Sequence, residues 1–419
     1  MKITLISLPN PTLTDPRIAP PLGLLYLASY VLKHYPDWDI KVLDLNTRKG
    51  GMLADGTEDI IGISVASTQI NMARDYCWLL KDTYPHIHII IGGPHPTTLP
   101  EESLKITDAD IAVCGEGERA FLRICEGRLL GCDHIINEGY IQDLDTIPFP
   151  ARELLDFSKY TRTIAGQPAT NMITSRGCPG QCTFCDQDVW GNKLRFHSAE
   201  YVLAEIDDIK TKTGINRILF LDDTLTFNRG RMFDICKGLR DRGVIWRGWT
   251  RANCIDEGLV DMMYRSLCHS LCLGVESGSP RILKNIKKGI TPEQNLAGVK
   301  MIHDAGIKCR ISLMIGCPGE THDTIQETKD WMKEAAPFVD DWIVSTFVPV
   351  VGSPAWKDPK GFRLLDAPYE DYYVVGYDQK SGTVMELDTM TNEVLASERK
   401  DLIEYLHKVC PRKPEEVVK

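Results

Sequence analysis

"RGCPGQCTFCDQ", residues 176–187, is the stretch on which the reading of the whole chain turns. It packs Cys178, Cys182 and Cys185 into eight positions, among a proline, two glycines and a phenylalanine. Three thiols this close admit three readings: a disulfide knot, a zinc site, or an iron–sulfur cluster with one iron left open. The disulfide reading is the weakest, because fourteen cysteines scattered through strand-like and helix-like segments are the usage of reduced thiols, not of a secreted framework. A structural zinc site needs a fourth ligand with its own local pairing. Cys268 and Cys272 are the other close pair, but Leu271 and Leu273 mark Cys272 as strand interior, and His197 stands alone. Three thiolates on a short loop can instead bind three irons of a [4Fe–4S] cube and leave the fourth open to a substrate or cofactor. An open iron points to catalysis rather than simple electron transfer.

Working downstream, the cysteines follow the first of a series of strand-like segments, "TNMITSRG" (170–177), "RILFLDD" (217–223), "IWRGWTRA" (245–252), "SLCLGVES" (270–277), "KCRISLMIG" (308–316) and "DWIVSTFVP" (341–349). Helix-like segments such as 198–214 and 291–306 separate most of them, each opening on a Ser or Thr that can cap and closing on a Gly. Six βα units in series predict a partial (β/α)6 barrel of the TIM type over 168–350, with its chemistry at the carboxyl-end rim. Residues 351–419 show no clear pattern and read as a C-terminal extension. Tyr369, Tyr372, Tyr373 and Tyr377 in it form an aromatic cluster, a composition that more often marks packing than recognition.

Upstream, residues 139–167 lose periodicity and read as a linker. Before them, 1–138 alternate Ile- and Val-rich runs (2–8, 39–45, 59–65, 86–93, 110–115) with helical segments, the pattern of a Rossmann-like, doubly wound parallel sheet. Ligands of such sheets sit beyond the carboxyl ends of the strands. Those ends carry Thr14, Ser64 and Ser67, then Gly92, Gly93, Pro94 and His95, then Gly115, Glu116 and Gly117. Small residues there let backbone approach a bulky ligand, so these ten are the candidate cofactor contacts of the first domain.

A net charge of −10, from 48 Lys+Arg against 58 Asp+Glu, with no basic tract, argues against nucleic acid as a partner. No stretch approaches the roughly 18 apolar residues of a membrane span. The first residues, "MKITLISLPNPTLTDP", read as a strand rather than a signal peptide, so the expected location is the cytoplasm.

The spacing Cys-x-x-x-Cys-x-x-Cys, with Phe184 just before the last cysteine and the loop placed after the first barrel strand, resembles the signature of the radical S-adenosylmethionine (SAM) enzymes. The resemblance implies that Cys178, Cys182 and Cys185 are the metal ligands and catalytic core. The open iron would take SAM, and the reduced cluster would cleave it to methionine and a 5′-deoxyadenosyl radical. "GVESGS" (274–279) is similar to the family's fourth-strand SAM motif, which nominates Glu276 and Ser277. "LFLDDTLTFN" (219–228) resembles its second-strand segment and nominates Asp222 and Asp223. Arg251 and Arg310 are candidates for the methionine carboxylate of SAM, one of them being as well suited to an internal salt bridge. "IGCPGET" (315–321) matches a fifth-strand pattern with Cys317 in an apolar position, where a buried filler is the first reading. Cys77, Cys114, Cys125, Cys132, Cys236, Cys254, Cys309 and Cys410 read as fillers too.

The first domain resembles the cobalamin-binding domain that precedes the barrel in a large radical SAM class, through "APPLGLLYLASYVLK" (19–33), "GISVAST" (62–68), "IIIGGPHPTTLPEE" (89–102) and "AVCGEGE" (112–118). It departs from the methionine-synthase type, because the loop "NPTLTDPRIAPP" (10–21) lacks the histidine of Asp-x-His-x-x-Gly. Cobalamin would then be base-off without a histidine ligand, its lower face left to water, Thr14 or Ser67. The two resemblances together imply methyl transfer to an unactivated carbon or phosphorus of a small-molecule, lipid or peptide substrate, with an external electron donor such as flavodoxin or ferredoxin. The same parts support cyclisation or rearrangement. A methylthiotransferase would bring three further cysteines for an auxiliary cluster, in a distribution that Cys77, Cys114, Cys125 and Cys132 do not have. A non-catalytic cobalamin or redox sensor would not need SAM-contacting positions around a barrel.

Overall fold

The computed structural model describes residues 1–48, 54–129, 131, 134–372 and 384–412. Cys132, Tyr373 and Tyr377 lie outside the described residues. The chain begins with β1 (Lys2–Ser7), α1 (Leu22–His34), β2 (Asp39–Asp44), β3 (Ile60–Ser64), α2 (Ile70–Thr83), β4 (His88–Gly92), α3 (Pro94–Thr98), α4 (Pro100–Thr107), β5 (Ile111–Val113), α5 (Glu118–Cys125) and β6 (Ile135–Ile136). These strands form one parallel sheet in the order β2-β1-β3-β4-β5-β6. The order reverses at β1, which opens a crevice where β1 and β3 diverge into their loops. Helices α1 and α5 cover one face and α2 and α4 the other, so the Ile-rich strands are buried on both sides. In α2 the buried positions Ile70, Ala73, Cys77 and Leu80 recur at helical spacing, which is why that segment cannot lie in the sheet.

The crossing segment is held rather than loose. Arg152 and Glu205, both fully buried, form an ion pair at 2.7 Å that fastens it to the barrel. It then forms a hairpin, β7 (Thr163–Ile164) and β8 (Gln167–Pro168), whose Ile164 and Ala165 pack on Leu219.

The second sheet starts at β9 (Thr170–Met172). A small antiparallel pair, β10 (Ser175–Arg176) with β11 (Arg195–Phe196), interrupts the βα series and makes the neck of a long loop. Then follow α6 (Ala199–Thr213), β12 (Arg217–Phe220), α7 (Arg229–Asp241), β13 (Ile245–Thr250), α8 (Glu257–Arg265), β14 (Cys268–Glu276), α9 (Pro280–Asn285), α10 (Pro292–Asp304), β15 (Lys308–Ile315), α11 (His322–Ala335) and β16 (Asp341–Thr346). The sheet is parallel throughout, in sequential order from β9 to β16. Its two ends stay apart among the described residues, so the barrel is open. The expected caps are in place: Ser198 starts α6 and Gly214 ends it left-handed, and Thr291 with Gln294 makes a capping box on α10.

The last region corrects one expectation. After α12 (Pro354–Lys357) and the hairpin β17 (Phe362–Leu364) with β18 (Met385–Leu387), the segment expected to be patternless contains α13 (Asn392–Val409), 18 residues long. Thr391 caps it and Leu395, Leu402 and Leu406 are its buried stripe. A stripe that sparse is drowned by the charges around it, and only packing against α11 reveals it. No helix among the described residues is long and apolar enough to cross a membrane.

Candidate active site

Residues 177–194 leave the barrel through β10 and return through β11, so the three cysteines sit on a loop closed at its neck. The closure needs glycine at 177, where φ is +87° and a Cβ would fall 2.5 Å from the carbonyl of Lys193. Gly180 opens a second space: a Cβ there would stand 3.3 Å from Cys178 Sγ, 3.9 Å from Cys182 Sγ and 3.3 Å from Arg251 Nη1. Burial pushes the Cys185 thiol up to about 12, with Asp223 and then the other two cysteines adding to it. Gathering thiols that oppose one another's ionisation is unfavourable unless positive charge is placed among them. Among the described residues no three His, Cys, Asp or Glu side chains are close enough to hold a single metal ion. A cube takes each thiolate on its own iron, so this donor set and the cradle over Gly180 fit a cluster.

Facing the cysteines is a charged wall. Arg251 Nη1 lies 3.7 Å from Cys182 Sγ, and its Nη2 donates to the carbonyl of Lys288. Lys288 in turn reaches Glu276 Oε1 at 2.6 Å and lies 5.8 Å from the centroid of the Phe184 ring. Glu276 has φ of +65°, beside a shift in the β14–β15 register, a conformation that turns a buried carboxylate out of the strand line. Gly274 makes room for the pair, since a Cβ there would sit 2.7 Å from Glu276 Oε1 and 2.8 Å from Lys288 Nζ. Phe184, Arg251 and Glu276 are thus brought together, and Lys288 joins them without having been marked in the sequence. Its only signal is "KKG" (287–289), which reads as an ordinary helix end.

Other expected residues have different surroundings. Asp222 is fully buried and accepts from Thr174 N at 3.2 Å, from Thr174 Oγ1 at 2.7 Å and from Ser175 Oγ, bracing the strand that leads into the loop. Asp223 is exposed, on the side of the cysteines. Ser277 bonds Thr328 Oγ1 at 3.1 Å and accepts from Ser279 N, so it ties β14 to α11. Arg310 is paired with Asp341 at 2.7 Å. Cys317 is fully buried and its thiol is raised by burial. Beside it, Glu320 accepts from Gly316 N at 3.2 Å and Cys317 N at 3.4 Å, and burial raises its carboxyl to about 7.

In the first domain a cavity of about 270 Å³ lies between the sheet and helices α1 and α5, open at the strand ends. Ser64, Gly92, Gly93, Pro94, Gly115, Glu116 and Gly117 of the expected contacts line it. Leu5, Leu24, Ile90 and Phe121 make the wall largely apolar; Gly62 lets Leu5 and Phe121 pack close on its strand, and Gly23 widens the cavity from α1. At Gly23 a Cβ would meet nothing within 4 Å, so the space reaches the helix backbone itself. Val189 and Trp190, on the cysteine loop, complete the wall together with Arg176 and Ile173. Thr14, Ser67 and His95 are not in it. Thr14 is exposed, while Ser67 Oγ is bonded to His95 Nδ1 at 3.1 Å. His95 is fully buried edge-on to Tyr369, and burial lowers its pKa to about 4.

Glu116 and Glu118 hold Arg176 and Arg195. Glu116 Oε1 is 2.7 Å from Arg195 Nη1 and 3.5 Å from Arg176 Nη1, and Glu118 Oε1 is 2.5 Å from Arg176 Nη2. The "CGEGE" and "SRGC" motifs are thereby joined across the domains, a contact that spacing in the chain does not disclose. The extension packs on the same loop, with Ala355 N donating to Thr183 O at 2.8 Å and Lys357 paired with Asp188 at 2.9 Å. Tyr369 bonds Glu102 at 2.9 Å, a packing role for that aromatic. None of the described cysteines outside the loop is in a disulfide, and all but the half-buried Cys254 are buried.

The family model described as the radical SAM superfamily matches residues 172–332, and that of the B12 binding domain matches residues 13–124. The uncharacterized methyltransferase PH0819 of Pyrococcus horikoshii is 32% identical over 378 residues, which span 83% of this chain and 80% of that protein. The anaerobic magnesium-protoporphyrin IX monomethyl ester cyclase of Rubrivivax gelatinosus is 26% identical over 358 residues, 78% of this chain and 64% of that protein. The solved cobalamin-dependent S-adenosylmethionine radical enzyme OxsB, with aqua-cobalamin bound, shares the fold with a TM-score of 0.75 at 19% identity, over 99% of this chain and 69% of that one.

Proposed function

Since the chain belongs to the cobalamin-dependent radical SAM enzymes, with a B12-binding domain followed by the radical SAM domain, we propose that it transfers a methyl group from SAM to an unactivated carbon or phosphorus of a small-molecule, lipid or peptide substrate. One observation carries the reading: Val189 and Trp190, a few residues beyond Cys185, form part of the wall of the first-domain cavity. That contact brings the loop that would carry the cluster against the cavity that would carry cobalamin. Residues 1–138 would hold cobalamin, 139–167 link, 168–350 carry the cluster and SAM, and 351–419 buttress the loop.

Cys178, Cys182 and Cys185 would ligate the cluster, and Arg251, Lys288 and Glu276 would meet the charged groups of SAM, with Phe184 against them. Ser64, Gly92, Gly93, Gly115 and Gly117, in the wall of the glycine-rich cavity, would hold cobalamin, base-off and without a histidine ligand. When bound, the cluster supplies the electrons that cleave SAM and cobalamin carries the methyl group. The protein's part is orientation and exclusion of water. Arg251 and Lys288 fix an anion beside Cys182, and the apolar wall from Leu5 to Trp190 keeps solvent from the cavity. A cytoplasmic location with flavodoxin or ferredoxin as electron donor suits an oxygen-sensitive cluster.

Likeness to the Rubrivivax gelatinosus cyclase favours a second reading, ring formation without methyl transfer. Protein reconstituted anaerobically with iron, sulfide and hydroxocobalamin is incubated with a reductant, methyl-labelled SAM and candidate substrates. Label in a product, with both S-adenosylhomocysteine and 5′-deoxyadenosine released, supports the methyltransferase. Conversion of a substrate with 5′-deoxyadenosine but no label transfer supports the cyclase. Failure to cleave SAM at all counts against both.

A further inference from the structure

We propose that Glu116, on the first domain, is the positioning residue that closes the cysteine loop of the second, by supplying the counter-charge for Arg176 and Arg195 at its neck. The proposal rests on reading that loop as the cluster site.

The β10–β11 register sets Arg176 directly opposite Arg195. Like charges so placed repel, and these two are almost wholly buried, where an unpaired cation is costly. The carboxylates that reach them, Glu116 and Glu118, both come from the turn and first helical residue after β5. Arg176 also lies over the ring of Tyr26 on α1, 5.5 Å from its centroid. Arg195 donates to the carbonyls of Ile141 at 2.6 Å and Trp190 at 3.0 Å, while Glu116 Oε2 accepts from Ile141 N at 2.7 Å. Every link converges on the two residues through which the loop enters and leaves. Cys178 is the second residue past Arg176.

The same groups face the first-domain cavity. Glu116, Glu118, Tyr26 and Arg176 line it, with Val189 and Trp190 of the loop opposite. A ligand filling the cavity therefore presses on the neck, and an open neck removes part of the cavity wall. Loading of the first domain and retention of the cluster are coupled through Glu116, so the first domain is a structural part of the cluster site as well as a cofactor holder.

The test uses the full chain, wild type and Glu116→Gln, reconstituted with iron and sulfide, with and without hydroxocobalamin. Loss of cluster absorbance to an iron chelator is timed, and hydrogen–deuterium exchange of residues 177–194 is measured in the iron-free proteins. Glu116→Gln is expected to lose iron at least about tenfold faster and to exchange faster at 177–194 than in the helices of either domain. Adding Arg195→Gln to it should restore part of the retention, because one of the opposed cations is gone. Hydroxocobalamin should slow iron loss in the wild type and do so much less in the variant. Equal iron loss and equal exchange in the two proteins would overturn the proposal, as would a double variant that is worse by the sum of its parts. If the wild type takes up no iron, the cluster reading fails, while the exchange comparison still decides the neck. Should Glu116→Gln not fold, Glu116→Asp, which withdraws the charge without removing it, is read in the same way.

Discussion

The two sheets are built from the same repeating βα unit, yet they make opposite kinds of site. The first sheet reverses its strand order at β1 and stays open, and its cavity is walled largely by glycine and hydrocarbon, with charge confined to the side of Glu116, Glu118 and Arg176. The second runs in sequential order and curls, and its mouth gathers thiols, guanidiniums and carboxylates around Gly180 and Gly274. An open sheet leaves room for a large ligand held by shape. A curled sheet converges side chains from several strands on a small volume, where charge and metal bonds decide binding.

The largest effect expected of that contrast is from the Cys178/Cys182/Cys185→Ala triple variant. Iron should fall from about four per chain to about none, and 5′-deoxyadenosine formation should cease. Hydroxocobalamin should still bind, and its complete loss would show that the two sites cannot be separated as described. Next, Gly23→Leu should fill the cavity from the helix side, where nothing stands within 4 Å of the new Cβ. Cobalamin retention should fall at least about tenfold with iron content unchanged and with no loss of helix stability. Normal retention would place the ligand elsewhere.

A change confined to the charged wall is Lys288→Gln. Equilibrium dialysis should show SAM binding about tenfold weaker while iron is retained, whereas unchanged affinity would restrict Lys288 to propping Glu276. For His95 the effect is on stability. Its folded pKa of about 4 is below the unfolded value of 6.5, so the unfolded chain binds more protons in between. The stability from keeping it neutral is complete above pH 6.5 and is lost as pH falls toward 4, by up to about 3 kcal/mol. Thermal melts of the wild type should show that loss, and His95→Gln should flatten it. The smallest effect is that of Lys357→Met, which removes an exposed ion pair to Asp188. It should change stability by less than about 1 kcal/mol, and a large drop in iron retention would mean that the extension clamps the loop as strongly as the first domain does.

Much of the candidate site was legible locally. The cysteine spacing, the aromatic at Phe184, the glutamate of "GVESGS" and the glycine-rich strand ends are short-range patterns; the structure brings Phe184 and Glu276 to Lys288, and sets the strand ends around the first-domain cavity. Less legible were residues whose role depends on a partner remote in the chain. His95 sits in a motif-like turn, but it is spent on Ser67 and Tyr369. Ser277, in "GVESGS", is spent on Thr328. Arg310 is matched by Asp341 from the next strand, the internal salt bridge that one of the two arginines was expected to make. Lys288 carries no local mark at all. Helix α13 does not stand out in the sequence because three buried leucines in 18 residues give too weak a period against its charges.

The sequence by itself determined the two βα series, their order, and the cysteine loop after the first strand of the second. Those follow from hydrophobic period, capping residues and thiol spacing, all of which act over a few residues. Tertiary structure alone decided that Glu116 and Glu118 close on Arg176 and Arg195, and that Lys288 sits between Glu276 and Phe184. It also decided that the cysteine loop completes the cavity of the other domain. A buried charge accepts whichever opposite charge the packed sheets bring within reach, and that choice is made in space, with no period along the chain to announce it.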